Sequence, residues 1–305
     1  MDFTEGPANR PPAYPDGGQP PAAFVPDSPD ASNSEPGFLD RLRFLPEPPW
    51  DRATGLLQVV VVVALALGLS VVGTILGLVI DFFFTESADL NLDVSSADLN
   101  EQMVALIEKL PATLVLGAIF QQLGQGGSAF LISKFWKGYG VARDWGLAFK
   151  WVDVPIGAGL ALVGFALSQG VSFALSPLLG VDDASEADNG VIVSGFEDSL
   201  WLYPMLVVVV IGAPFSEEIA FRGILQRALA RFGGPVSGIV LSSLVFSLVH
   251  IGGSSFGGQL ALWAAIFVLG IVFATAAAYF KRLGPSIVAH LITNLGASIV
   301  LLTQG

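Results

Sequence analysis

The sequence contains no cysteine and only two histidines, His250 and His290. The lack of cysteine excludes disulfides, a thiol nucleophile and cysteine-ligated metal sites. Charged residues make up only 13% of the 305 residues, and the net charge of -12 argues against a nucleic-acid partner. Any histidine chemistry must therefore use one or both of these two imidazoles.

Apolar residues are abundant instead. They make up 53% of the chain, and several apolar runs are long enough to cross a membrane. We therefore expect an all-α fold, a polytopic transmembrane helix bundle of about seven spans embedded in the lipid bilayer. The expected segments cover about 56–84, 104–135, 154–179, 201–232, a span that begins at Pro235, 259–280 and 285–302. Glutamines in the second segment are expected to face other helices: Gln121, Gln122 and Gln125.

The first 50 residues differ from the rest in composition. They are rich in Pro, Gly, Ser and Asp, so they bury too little apolar surface to offset the entropy of ordering. We expect a disordered cytoplasmic tail at 1–50 and a transmembrane domain at 51–305. The piece 37–45 is either a membrane-surface segment or a plain linker.

Basic residues cluster in alternate connections of the predicted bundle. Four groups of Lys and Arg lie at 41–52, 134–150, 222–231 and 281–282, whereas 85–103 and 180–200 are acidic and contain no Lys or Arg. Only Lys109 departs from this alternation. Because basic loops stay on the cytoplasmic side, we expect a multi-pass protein of the cell membrane with a cytoplasmic N-terminus and an outside C-terminus.

Three polar clusters interrupt the last four apolar segments. The first contains Glu217, Glu218 and Arg222, the second Phe246 and His250, and the third His290 and Asn294. Glu218 and Arg222 are four residues apart and can pair on one helical face, which leaves Glu217, about 100° around the helix, available for other work.

Each cluster also has an ordinary structural interpretation. Ser216 can cap a helix whose first turn favours the two carboxylates. A single intramembrane His or Asn often makes only a helix–helix hydrogen bond. The spacing around Gly233 and Gly234 favours a shared site, because Glu217 precedes the turn by sixteen residues and His250 follows it by sixteen. In an antiparallel hairpin these side chains lie level, about 24 Å from the turn.

These residue types are the components of a hydrolase. A carboxylate such as Glu217 can take a proton from water, and the histidines with Asn294 can donate to a developing oxyanion. Alternatively, the histidines can ligate a divalent metal such as Zn²⁺, with Glu217, His250 and His290 as the ligand set. The sequence leaves the metal and metal-free schemes open.

The ordered trio of motifs Glu217-Glu218-x-x-x-Arg222, Phe246-x-x-x-His250 and His290-x-x-x-Asn294 closely resembles the CPBP family of CAAX prenyl proteases and bacteriocin-processing (Abi) intramembrane proteases. The resemblance covers about 200–302. It implies a protease core there, in which Glu217 activates water and Glu218 and Arg222 support it. His250, His290 and Asn294 inherit the other catalytic positions, with Phe246 in the second motif.

The leading prediction is an intramembrane endopeptidase that cleaves a peptide or protein substrate near the cytoplasmic membrane face; the family suggests that this substrate can be lipid-modified. Two alternatives stay open. One is a non-catalytic immunity or scaffold protein of the same family. The other is an ion-coupled transporter, since buried Glu and His also build proton relays.

Overall fold

The computed structural model describes residues 42, 51–84, 107, 109–136, 138–181, 196, 199–252 and 255–304. Within this part of the chain all regular structure is helical and no strand occurs, which confirms the predicted all-α fold class. By its internal contacts the chain divides into Met1–Gly37 and Phe38–Gly305. The predicted tail lies outside the described residues except for Leu42, which is buried against Ile239, Ala274 and Ala278. The boundary near residue 50 stays a prediction.

Seven helices follow one another along the described chain. They are α1 (Arg52–Phe84), α2 (Pro111–Phe135), the short α3 (Val141–Trp145), α4 (Asp153–Leu175, continued by a 3₁₀ turn at Ser176–Leu178), α5 (Leu202–Leu248), α6 (Phe256–Phe280) and α7 (Gly284–Gln304).

Five of these helices are long and apolar enough to cross a membrane by length and composition: α1, α4, α5, α6 and α7. The chain is thus a multi-pass membrane protein, and the predicted number of seven spans is approximate. The difference has two causes. α5 counts as one helix, although its backbone is non-helical at Gly234. It therefore covers two of the predicted segments. α2, interrupted by glutamines, is not among the five.

The break in α5 lies where the sequence predicts a turn. Gly234 has φ 82° and ψ 179°, a backbone conformation that side chains rarely tolerate. It divides α5 into a first arm (202–233) and a second arm (235–248). Phe221 lies twelve residues before Gly233 and Phe246 twelve after Gly234. Their ring centroids are 5.1 Å apart, so the two arms pair as the equal spacing predicts.

α1 and α2 pack with their backbones in close contact. A Cβ atom on Gly73 would lie 2.3 Å from the Leu116 carbonyl oxygen, so a larger residue cannot be accommodated there without a shift. At one end of the pair the buried Asp81 carboxylate accepts from the main-chain N–H groups of Ala112 and Thr113, at 3.0 and 2.8 Å. This side chain satisfies the free donors at the start of α2.

The connection around α3 folds back onto the bundle. Trp145 is fully buried, and its indole N–H lies 3.0 Å from the Ala129 carbonyl oxygen and 2.9 Å from the Ser133 hydroxyl. Arg227 of α5 donates to the Asp144 carbonyl at 2.6 Å. The turn before α7 joins the same assembly, because the Leu283 N–H donates to the Gly146 carbonyl at 2.8 Å. The first arm of α5 is thereby fixed beside α2 and α7.

Candidate functional site

Glu218 and Arg222 form an ion pair inside the bundle. The Arg222 Nη1 lies 3.1 Å from the Glu218 Oε1, and both side chains are fully buried. The pairing predicted from the four-residue spacing is therefore confirmed. Arg222 Nη2 also points to the Gly270 carbonyl of α6 at 3.5 Å. Two buried charges need this mutual compensation, since either one alone in an apolar interior is costly.

His290 lies between the two glutamates. Its Nδ1 is 3.3 Å from Glu218 Oε1, and its Nε2 is 3.8 Å from Glu217 Oε2. The side chain of Glu217 is 16% exposed, whereas that of Glu218 is inaccessible. The adjacent carboxylates thus face opposite sides of one imidazole, and only Glu217 can meet water or a substrate.

Two phenylalanines enclose the ion pair and the imidazole. The Phe246 ring lies 4.1 Å from the centre of the Arg222 guanidinium and 5.8 Å from the His290 ring, edge to face. Phe273 of α6 stacks on His290 at 5.1 Å with an angle of 27°. Contact with the aromatic face stabilises the Arg222 cation. Phe273 was not predicted, because α6 is apolar on all sides and no periodicity marks the face that meets His290.

His250 lies just beyond the end of α5. Its ring contacts Phe246 at 4.8 Å, and its Nδ1 is 2.6 Å from the Phe246 carbonyl oxygen. Among the described residues it makes no hydrogen bond or ion pair with Glu217, Glu218 or His290. Phe246 is the side chain that links His250 to the rest of the cluster. The predicted equal depth of Glu217 and His250 stays a prediction.

Asn294 is held one turn beyond His290 by a helix irregularity in α5. The helix widens to π-helical turns at Val208–Gly212 and again at Glu218–Leu225. In the first, the Ala213 N–H bonds to the Val208 carbonyl, five residues back. The next residue, Pro214, has no N–H to give to the Val209 carbonyl. That carbonyl accepts instead from Asn294 Nδ2 at 2.9 Å, so Asn294 anchors α7 to the segment leading to Glu217.

A cavity of about 630 Å³ opens between α2 and the first arm of α5. Its lining is apolar, with Leu123, Phe130 and Phe215 among its walls, except for Gln122 and Ser216. The Ser216 hydroxyl donates to Gln122 Oε1, which confirms for Gln122 the prediction that these glutamines face other helices. Ser216 immediately precedes Glu217 in the chain, although Glu217 is not among the residues that line this groove.

The predicted metal ligands do not form a recognisable metal site. In the described ranges no group of three or more His, Asp and Glu side chains is arranged to hold a metal ion. One nitrogen of His250 faces the Phe246 carbonyl, and one nitrogen of His290 faces Glu218. The ligand set Glu217, His250 and His290 therefore stays a prediction.

The six charged, aromatic and histidine residues predicted for the site form one connected assembly, and Asn294 is attached to it through the backbone. Glu218 and Arg222 are the buried charges of this assembly. Phe246 lies at its centre, and Glu217 lies at its accessible edge. Sequence reasoning missed Phe273 and the role of Ser216 with Gln122. The glutamines stood out in α2, but their partner could not be found from one sequence.

We expect Glu218→Gln and Arg222→Met each to destabilise the protein by about 3–5 kcal/mol, because each leaves one buried charge unpaired. The double variant should lose much less than the sum, because it removes both charges. Unfolding of the variants in detergent micelles measures the three values. Lys134→Met, which removes an exposed cation from α2, is the control and should stay within about 0.5 kcal/mol of the parent. Additive losses would show that the pair is not coupled.

Comparison with known proteins supports the resemblance carried by the motifs. Residues 199–296 match the family model described as type II CAAX prenyl endopeptidase Rce1-like. No curated protein and no solved structure matches the chain. The matched segment begins just before α5 and extends into α7, so it contains all three motifs. This Rce1-like match is consistent with a CPBP family protease.

Proposed function

We propose that this protein is an intramembrane endopeptidase in which Glu217 activates a water molecule for attack on a peptide bond. The observation that carries the proposal is the unequal placement of the two glutamates around His290. Glu218 is sealed in an ion pair, whereas Glu217 is accessible and faces the second nitrogen of the same imidazole. The Rce1-like match supports the same reaction class.

The contacts around His290 support a defined hydrogen-bond direction. A carboxylate engaged with Arg222 is an acceptor, so the Nδ1 of His290 carries the hydrogen that points to Glu218. The other nitrogen then faces Glu217 across 3.8 Å, a separation beyond a direct hydrogen bond. A water molecule can contact both groups at this position. Glu218 and Arg222 thus orient the imidazole and do not themselves touch the water.

The proposed reaction proceeds in two steps. Glu217 takes a proton from the water as the water oxygen bonds to the substrate's carbonyl carbon, and the carbonyl electrons move to oxygen. The protonated Glu217 then gives its proton to the amide nitrogen, the oxyanion's electron pair re-forms the carbonyl, and the carbon–nitrogen bond breaks to release the amine and the acid. We assign stabilisation of the oxyanion to His250 and His290, each of which can donate from Nε2 only when its ring carries a second proton, because its Nδ1–H already faces a fixed acceptor.

Glu217→Gln tests the central assignment. It keeps the shape of the side chain but removes the base, so cleavage should fall roughly 100-fold or more while stability changes little. The measurement uses the protein in lipid vesicles with a quenched fluorescent peptide that ends in a prenylated CaaX sequence, and with the same peptide lacking the prenyl group. Asp51→Asn is the matched control, because asparagine can also accept the Thr54 N–H that the exposed Asp51 now accepts.

Full cleavage by Glu217→Gln would contradict the assignment. If the parent protein cleaves neither peptide, the non-catalytic alternative gains support. A phenotype in cells that persists in Glu217→Gln would point in the same direction.

The metal question has its own test. Since the described side chains do not form a three-ligand group, we propose that the residues named above suffice for water activation. Dialysis of the vesicle-embedded protein against a chelator should then leave the cleavage rate unchanged. A loss of rate that Zn²⁺ restores would instead support the ligand set Glu217, His250 and His290.

We further propose that the apolar groove beside Ser216 holds the part of the substrate next to the cleaved bond. A Cβ atom on Gly127 would meet nothing within 4 Å, so Gly127→Leu can fill the groove without displacing the backbone. We expect KM to rise roughly tenfold with kcat retained, since about 1.5 kcal/mol of apolar contact is lost. Gly159→Leu, at an equally open position on α4, is the control. Equal KM values for both variants would exclude the groove.

The orientation of the helices in the membrane determines which side the site faces. The basic connections before α1, after α2 and between α6 and α7 support a cytoplasmic N-terminus, because basic loops stay on the cytoplasmic side. The accessible edge of the site would then lie toward the cytoplasmic face.

A further inference from the structure

We propose that Gln259 and Trp263 of α6 are positioning residues for His250, and that they hold its imidazole in one tautomer. The inference rests on the function proposed above, because it gives His250 a defined nitrogen for the reaction. Neither residue lies in the three motifs, and neither stands out in the sequence.

The side-chain contact of His250 determines its tautomer. Nδ1 lies 2.6 Å from the Phe246 carbonyl oxygen. A carbonyl can only accept a hydrogen bond, so Nδ1 must carry the hydrogen. In the neutral ring, Nε2 is then left with its lone pair. The free carbonyl at the end of the helix is thus satisfied by the imidazole that follows it.

The main chain of His250 is clamped from α6. Its carbonyl oxygen accepts from Gln259 Nε2 at 2.9 Å and from Trp263 Nε1 at 2.7 Å. The other end of the Gln259 side chain accepts from the Gly252 N–H at 3.0 Å. Gln259 therefore bridges two points of the segment that leaves α5, and the carbonyl of His250 has both of its acceptor positions filled.

The start of α6 makes this clamp rigid. Ser255 caps the helix, with its hydroxyl accepting from the Gly258 N–H at 2.9 Å. The Gln259 N–H bonds to the Ser255 carbonyl at 2.8 Å. Trp263 follows Gln259 by four residues, so both side chains project from the same helical face. The donors that hold His250 thus come from the first ordered turns of a long helix.

The clamp explains how a residue beyond a helix end keeps a fixed side chain. His250 is outside regular helix, and its N–H bonds to Ser247, three residues back, in a tightened last turn. Without the two α6 donors the segment could leave α5 at a different angle. The imidazole would then lose the Phe246 carbonyl and exchange between its two tautomers.

Histidine-selective isotope labelling tests this directly, because the chain has only two histidines. Ring ¹⁵N spectra of the full chain in micelles should show one signal set for each, assigned with His250→Gln. In the double variant Gln259→Met/Trp263→Phe, the His250 nitrogens should shift toward the average of the two tautomers. The His290 signals should stay in place and so report that the core is intact.

The matched control is Gln169→Met/Trp151→Phe, which makes the same two replacements at exposed positions of α4 and the turn before it. It should leave both histidines unchanged. Unaltered His250 signals in Gln259→Met/Trp263→Phe would overturn the proposal. If the double variant loses the His290 signals as well, the His250 signals of the single variant Trp263→Phe decide whether the clamp exists. This variant keeps an aromatic ring and removes only the N–H donor.

Kinetic measurements distinguish a failure of this inference from a failure of the proposed function. In a cleaving protein the double variant should lose about tenfold in kcat, the scale seen when residues that orient a functional histidine are removed, with little change in KM. If the parent does not cleave peptides, the spectra still decide the clamp. Normal spectra with normal kcat in the double variant would reject the clamp and leave the endopeptidase assignment standing.

Discussion

The burial of one glutamate–arginine pair constrains everything around it. Glu218 and Arg222 are both inaccessible, and neither charge could remain there without the other. Their pairing needs a helix that passes through the centre of the bundle, with α6 and α7 close on one side. Phe246 covers the guanidinium, and His290 contacts Oε1 of Glu218, the carboxylate oxygen that Arg222 also contacts. The buried ion pair therefore fixes the interior of the site, and Glu217 is the accessible residue at its edge.

Irregular turns of α5 provide this arrangement. In a regular α-helix the Val209 carbonyl would accept from the Ala213 N–H, whereas in the widened turn that N–H bonds to Val208 and the Val209 carbonyl accepts from Asn294. The second widened turn begins at Glu218, the residue that must turn inward. π-Helical turns occur frequently at functional sites, and here each one has an identifiable partner on another helix. The helix departs from regular α-helical geometry at the positions where its side chains or carbonyls bond to neighbouring helices.

Much of this could be predicted from local spacing. The Glu218–Arg222 pair follows from four-residue periodicity, and the pairing of Phe221 with Phe246 follows from equal distances to a glycine turn. The contribution of Phe273 could not, because α6 has no polar face from which its rotation could be inferred. The count of spans is approximate for a related reason. Whether a broken helix crosses once or twice depends on packing and not on the apolarity of its residues.

The adjacent glutamates show how packing separates identical groups. Glu217 and Glu218 have the same chemistry, and a single sequence offers no reason to assign them different roles except the position of Arg222. The structure adds the second reason, since His290 presents one nitrogen to each. Arg222 pairs with the inner carboxylate, whereas the outer one is the accessible member of the two. A carboxylate of that kind, one imidazole away from a fixed ion pair, can accept a proton without disturbing the charges that hold the bundle together.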